Sequence, residues 1–134
     1  MIALDTSVVV AAFAVWHEGH AGAIAALARR PRIPAHVVIE SFSVLTRLPP
    51  PHRAPAEVVE RFLAARFPAT PLTLLGDQQR DLVRLAVSAG LAGGAIYDAL
   101  VAATAKQAGA TLLTRDRRAL QAYEAVGVRY ELLV

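Results

Sequence analysis

Short, largely apolar runs alternate with longer helical segments along this chain, and few folds accept that order. Residues 2–4 (Ile-Ala-Leu), 72–75 (Leu-Thr-Leu-Leu), 111–114 (Thr-Leu-Leu-Thr) and 128–133 (Val-Arg-Tyr-Glu-Leu-Leu) are too short for helices and read as strands, with 31–34 at most a further short one. Between them, helical spacing covers 6–13, 20–30, 37–48, 55–67, 77–89, 96–108 and 117–126. Thr6 or Ser7 is expected to cap the first of these helices, Pro49-Pro50-Pro51 ends the third, and Gly90, Gly109 and Gly127 close the last three. This alternation predicts one domain over residues 1–134, a three-layer α/β/α sandwich around a central parallel sheet of four to five strands. In such sheets ligands bind beyond the carboxyl ends of the strands, so the strand ends are where chemistry is sought.

Composition narrows the class. The chain has 134 residues, 55% of them hydrophobic, and no Cys, which excludes a disulfide scaffold and any thiolate metal site. Mean hydropathy is high at +0.43. The longest uncharged stretches, 6–17 and 85–97, nevertheless fall short of the roughly 18 to 20 apolar residues that a spanning helix needs. Asp5 interrupts the N-terminal apolar run and no basic segment precedes it, so no signal peptide is read and a cytoplasmic protein without membrane contact is expected.

Four carboxylates sit where carboxylates are costly. Asp5 ends the first run and Asp116 follows the 111–114 run by two residues, which places both on one rim of a parallel sheet. Glu40 lies three residues after Val37 and four before Val44, on the helix face those valines occupy, and the nearest Arg, Arg47, is about two turns away. Asp98 stands in the first turn of a helix whose only other charged residue is Lys106, on a face shared with Val101, Ala102 and Ala105. Helix capping and the helix dipole account for Asp116 and Asp98 taken singly; one shared cluster accounts for all four. Crowded carboxylates raise each other's pKa unless a divalent cation neutralises them. An all-oxygen donor set suits Mg²⁺ or Mn²⁺, and hydrolysis of a phosphodiester is the leading chemistry.

These residues have a familiar arrangement. Asp5-Thr6-Ser7 after the first strand, Glu40 within Ile39-Glu40-Ser41, the segment from Tyr97-Asp98-Ala99 to Ala105, and Leu113-Thr114-Arg115-Asp116-Arg117-Arg118-Ala119-Leu120 resemble the PIN-domain ribonucleases, in particular VapC toxins of bacterial toxin–antitoxin pairs. The resemblance spans nearly the whole chain. It implies that Asp5, Glu40, Asp98 and Asp116 are the catalytic acids holding Mg²⁺ or Mn²⁺, that Thr114 supports the cluster by hydrogen bonding, and that Ser7 plays a similar part near Asp5. It also implies an endoribonuclease acting on tRNA or ribosomal RNA, a homodimer, and silencing by a cognate antitoxin. The alternative is a catalytically idle PIN-type domain that binds RNA or protein without cutting.

Charge and aromatic residues complete the expectation. Fourteen basic residues, all Arg but Lys106, face eleven acidic ones, a net of +3; with four acids set aside in a metal cluster the rest of the chain carries +7. Arg115, Arg117 and Arg118 flank Asp116 and are candidates to contact RNA phosphates. Phe13, Trp16 and Phe42 are candidates for a partner surface. His17-Glu18-Gly19-His20 spaces its two His at i, i+3 rather than the i, i+4 of a zinc-protease helix, and His36 and His52 have no companion at ligand spacing.

Overall fold

The computed structural model describes residues 1–134. Strand β1 (Ile2–Leu4) leads through Asp5 into α1 (Thr6–Phe13), followed by α2 (His20–Leu27), α3 (Ala35–Thr46), α4 (Ala56–Arg66), α5 (Gly76–Ala89) and α6 (Ala95–Gln107). Strand β2 (Thr111–Thr114), a 3₁₀ turn (Arg117–Ala119), α7 (Leu120–Val126) and β3 (Tyr130–Leu132) complete the chain.

The sheet has three parallel strands in the order β1-β2-β3, with Leu4 opposite Leu113 and Thr114 opposite Leu132. The expectation of four to five strands is corrected here. Segments 31–34 and 72–75 do extend the same parallel order, but each is joined to the strand before it by a single bridge, Arg32 to Ala3 and Leu72 to Pro34. The cause is local. Arg32 donates to the Ile2 carbonyl and accepts from the Leu4 amide; the next rung would need an amide proton from Pro34, which has none. The chain then turns into α3 at Ala35, so neither ladder can lengthen.

Burial rather than intrinsic propensity holds the elements beside the site. Helix α1 contains three consecutive valines, a β-branched run unfavourable for a helix. Val8 and Val9 are fully buried, as are Leu112 and Leu113 of β2. Each such side chain stabilises the fold by about 1.5–3 kcal/mol relative to exposure, which outweighs a propensity cost of roughly 0.7 kcal/mol or less per residue. Helix α1 packs on α2, α3 and β2, α3 on α4 and α6, and α6 on α5, α7 and β2. At Gly127 the chain takes the left-handed conformation (φ 82°) that ends α7 and turns it into β3. No helix is long and apolar enough to cross a membrane.

Candidate active site

The Asp5 amide donates to the Leu113 carbonyl at 3.1 Å, so the exit of β1 stays registered with that of β2. The side chain of Asp5 therefore emerges at the rim from which Thr114, Arg115 and Asp116 leave. Asp5, not Thr6 or Ser7, caps α1: its backbone is extended (φ −86°, ψ 176°), and Oδ1 accepts from the Val8 amide at 3.3 Å. Oδ1 also accepts from the Ser7 hydroxyl at 2.5 Å, and Oδ2 from the Tyr123 hydroxyl at 2.7 Å. Burial pushes the Asp5 carboxyl above its ordinary pKa, against the opposing pull of the hydroxyls of Ser7, Thr114 and Tyr123 and the Val8 amide.

Asp116 is held from both sides. Its amide donates to Thr114 Oγ1 at 3.0 Å, and its Oδ1 accepts from the Arg118 amide at 3.0 Å, capping the 3₁₀ turn with which the expected 117–126 helix begins. Glu40 is half-buried on α3, and its Oε2 lies 3.0 Å from His36 Nε2, one turn earlier. Asp98, half-buried in the first turn of α6, has no protein donor. Burial pushes its carboxyl up to about 6, reinforced by the negative charges of Asp116, Glu40 and Asp5 and opposed by Arg118.

All four acids border one small cavity of about 30 Å³, together with Thr6, Ser7, Val101 and Tyr123. No three acidic or imidazole side chains are drawn close enough to form a finished metal-ligand set. The donor chemistry still fits a hard divalent cation: every acid offers carboxylate oxygen, and a cation would cancel the repulsion that the neighbouring carboxylates exert on Asp98.

A larger groove of about 390 Å³ adjoins this cavity, sharing Thr6, Ser7, Glu40 and Asp116 with it and adding His17, Arg115 and Arg118. Arg117 is exposed and lines neither space. The aromatic candidates separate. Phe13 packs edge-on against Phe62 at 5.2 Å, whereas Trp16 is 52% exposed and stacks on His52, and Phe42 is 40% exposed. Within the 17–20 motif, His20 Nδ1 bonds the Ala11 carbonyl while His17 turns to Gly19 and Arg115, so the two imidazoles serve different partners.

Three contributors escaped the sequence reading. Tyr123 gave no sign of its bond to Asp5, which lies 118 residues away. His36 was readable as an i, i+4 partner of Glu40. It also stacks on Tyr97 with the rings 5.2 Å apart and nearly parallel, a contact between helices that no spacing announces. His17 entered only through a metal motif it does not serve.

A PIN domain family model matches residues 2–125. Ribonuclease VapC40 of Mycobacterium tuberculosis is 50% identical over 133 residues, covering 99% of both chains. Ribonuclease VapC27 of the same organism is 41% identical over 128 residues, 95% of this chain and 93% of that one. In structure, a chain of FitAcB from Neisseria gonorrhoeae superposes with a TM-score of 0.69 at 22% identity, over 97% of this chain and 96% of that one, a likeness of fold. The chain belongs to the PIN domain family.

Proposed function

We propose that this protein is a VapC-type toxin, a Mg²⁺- or Mn²⁺-dependent endoribonuclease that hydrolyses RNA phosphodiester bonds, with tRNA or ribosomal RNA as substrate. The observation that carries the reading is the meeting of Asp5, Glu40, Asp98 and Asp116 at one cavity on the carboxyl rim of the sheet, in a chain 50% identical to a named ribonuclease. Asp5 and Asp116 are fixed by donors from Ser7, Val8, Tyr123 and Arg118. Both carboxylates at the cavity thus have little orientational freedom left to lose. Asp98 and Glu40 supply charge from the two helices that wall it. When bound, the cation stabilises the charge that develops on the phosphoryl group and lowers the pKa of the attacking water. Ser7 and Thr114 act by holding Asp5 and the Asp116 backbone, and Arg115 and Arg118 attract phosphates to the adjoining groove.

A cognate antitoxin accounts for the apolar groove of about 340 Å³ between α3 and α4, lined by Val38, Ile39, Phe42, Leu63 and Phe67, with Ile39 70% exposed. An amphipathic helix would bury these residues. The reading also includes a homodimer acting in the cytoplasm; light scattering of the purified toxin tests the dimer. The idle-domain alternative draws on the unfinished metal-ligand set. Cleavage assays separate the two: RNA should be cut with Mn²⁺ present, left intact in EDTA, and cut again when Mn²⁺ is restored. Cleavage that persists in chelator contradicts the metal assignment, and no cleavage with any RNA or metal favours the idle domain.

A further inference from the structure

The turn between α1 and α2 holds a buried glycine, Gly19, whose backbone (φ −87°, ψ 4°) is open to any residue. Conformational freedom therefore does not explain it. Space does: a Cβ at this position would overlap the Cζ, Nη1 and Nε atoms of Arg115. The Arg115 guanidinium thus lies directly on the Gly19 backbone. One end of it stands 3.4 Å from His17 Nδ1, which already accepts the Gly19 amide at 2.9 Å. Below, the Arg115 amide donates to Ser7 Oγ at 2.8 Å, and the same oxygen donates to Asp5. Arg115 makes no ion pair, although Glu40 and Asp116 line the same groove; the carboxylate of Asp116 is nearest Arg118, at 3.7 Å.

A fixed guanidinium without a counter-ion, beside a carboxylate-lined cavity, is built to receive an anion. We propose that Gly19 and His17 form a seat that presents Arg115 to a backbone phosphate of single-stranded RNA in this groove, so that the α1–α2 turn positions the strand relative to the acids. The inference rests on the ribonuclease reading and gives it a phosphate site. Gly19 and His17 are positioning residues that act through Arg115. The seat spares the complex part of the ordering cost of a flexible side chain.

The test uses the full-length protein in an Asp98→Asn background and a fluorescein-labelled, mixed-sequence single-stranded RNA, with anisotropy read across a salt series. Arg115→Ala should weaken binding about tenfold and flatten the slope of log Kd against log salt by about 0.7, the value for one lost phosphate contact on a single strand. Gly19→Ala should reproduce the loss of affinity while keeping the slope, since the displaced side chain retains its charge, and the double variant should be no weaker than Arg115→Ala alone. Gly19→Ala displaces only the far end of a flexible side chain, so its fold should stand. Gly22→Ala, where nothing lies within 4 Å, is the control and should bind normally. Arg115→Lys keeps the charge and loses the fork, so it should weaken binding while keeping the slope. Normal binding or slope in Arg115→Ala overturns the proposal, as does a Gly19→Ala effect that adds to Arg115→Ala. The underlying reading fails separately, if Asp98→Asn alone cleaves RNA at the wild-type rate.

Discussion

Asp5 and Asp98 carry the same group into the same cavity under opposite conditions. Asp5, at the strand end, receives a hydrogen bond from Ser7, Val8 and Tyr123 and is spent on fixing the frame. Asp98, at the helix start, has no donor and is held up to about 6 by burial and three neighbouring carboxylates. The strand rim thus provides a positioned carboxylate and the helix an uncompensated one. If the proposed cation binds here, changing Asp98 should cost affinity and loosening Asp5 should cost geometry.

The largest effect should come from the helix. Asp98→Asn should lower RNA cleavage on the order of 10²–10³-fold, comparable to removing one group that stabilises developing charge. Its metal-free form should melt no lower than wild type, because an unpaired charge has gone. Tyr123→Phe attacks the strand side: the ring stays packed, Asp5 Oδ2 loses its donor, and activity should fall about 10-fold with a stability loss of about 1–3 kcal/mol in denaturant titration. Loss of stability with unchanged activity would show that Asp5 needs no fixing. Ser7→Ala removes one donor to Asp5 and the acceptor for the Arg115 amide, and should cost about 1–2 kcal/mol.

The smallest effect is in pH. The raised Asp98 pKa means that between about 4 and 6 the folded chain holds a proton the unfolded chain has released. Stability from this group is therefore greatest below the unfolded value and is lost as pH rises through 6. Metal-free wild type should gain Tm on acidification from neutral to about pH 5 relative to Asp98→Asn, and saturating Mg²⁺ should flatten that difference. An identical pH profile for the two proteins would remove Asp98 from the electrostatic account.

The same contrast explains what was legible in the sequence. Strands β1 and β2 and the placement of Asp5 and Asp116 at one rim follow from apolar runs with a carboxylate at or just beyond their ends, because sequence neighbours stay neighbours at a strand exit, whereas Glu40 and Asp98 were legible as carboxylates on apolar helix faces. The two outer strands were overestimated, since one missing proline amide and the start of α3 stop the ladder, a matter of rungs rather than hydrophobicity. Asp5 as helix cap was hidden by two hydroxyl residues behind it that also cap well. The His36–Glu40 pair lay in plain i, i+4 spacing. The bond from Tyr123 to Asp5 and the seat of Arg115 on Gly19 join segments about a hundred residues apart, and only the packing of α7 and of the α1–α2 turn against the sheet rim brings them together.

In the proposed function the four carboxylates form one cation site completed by Asp98. Mn²⁺ titration of the purified protein, read by calorimetry at neutral pH in wild type and in Asp98→Asn, tests it most directly. Wild type should bind saturably and the variant should not, while its circular dichroism remains native. Equal Mn²⁺ affinity in the two proteins would contradict this reading.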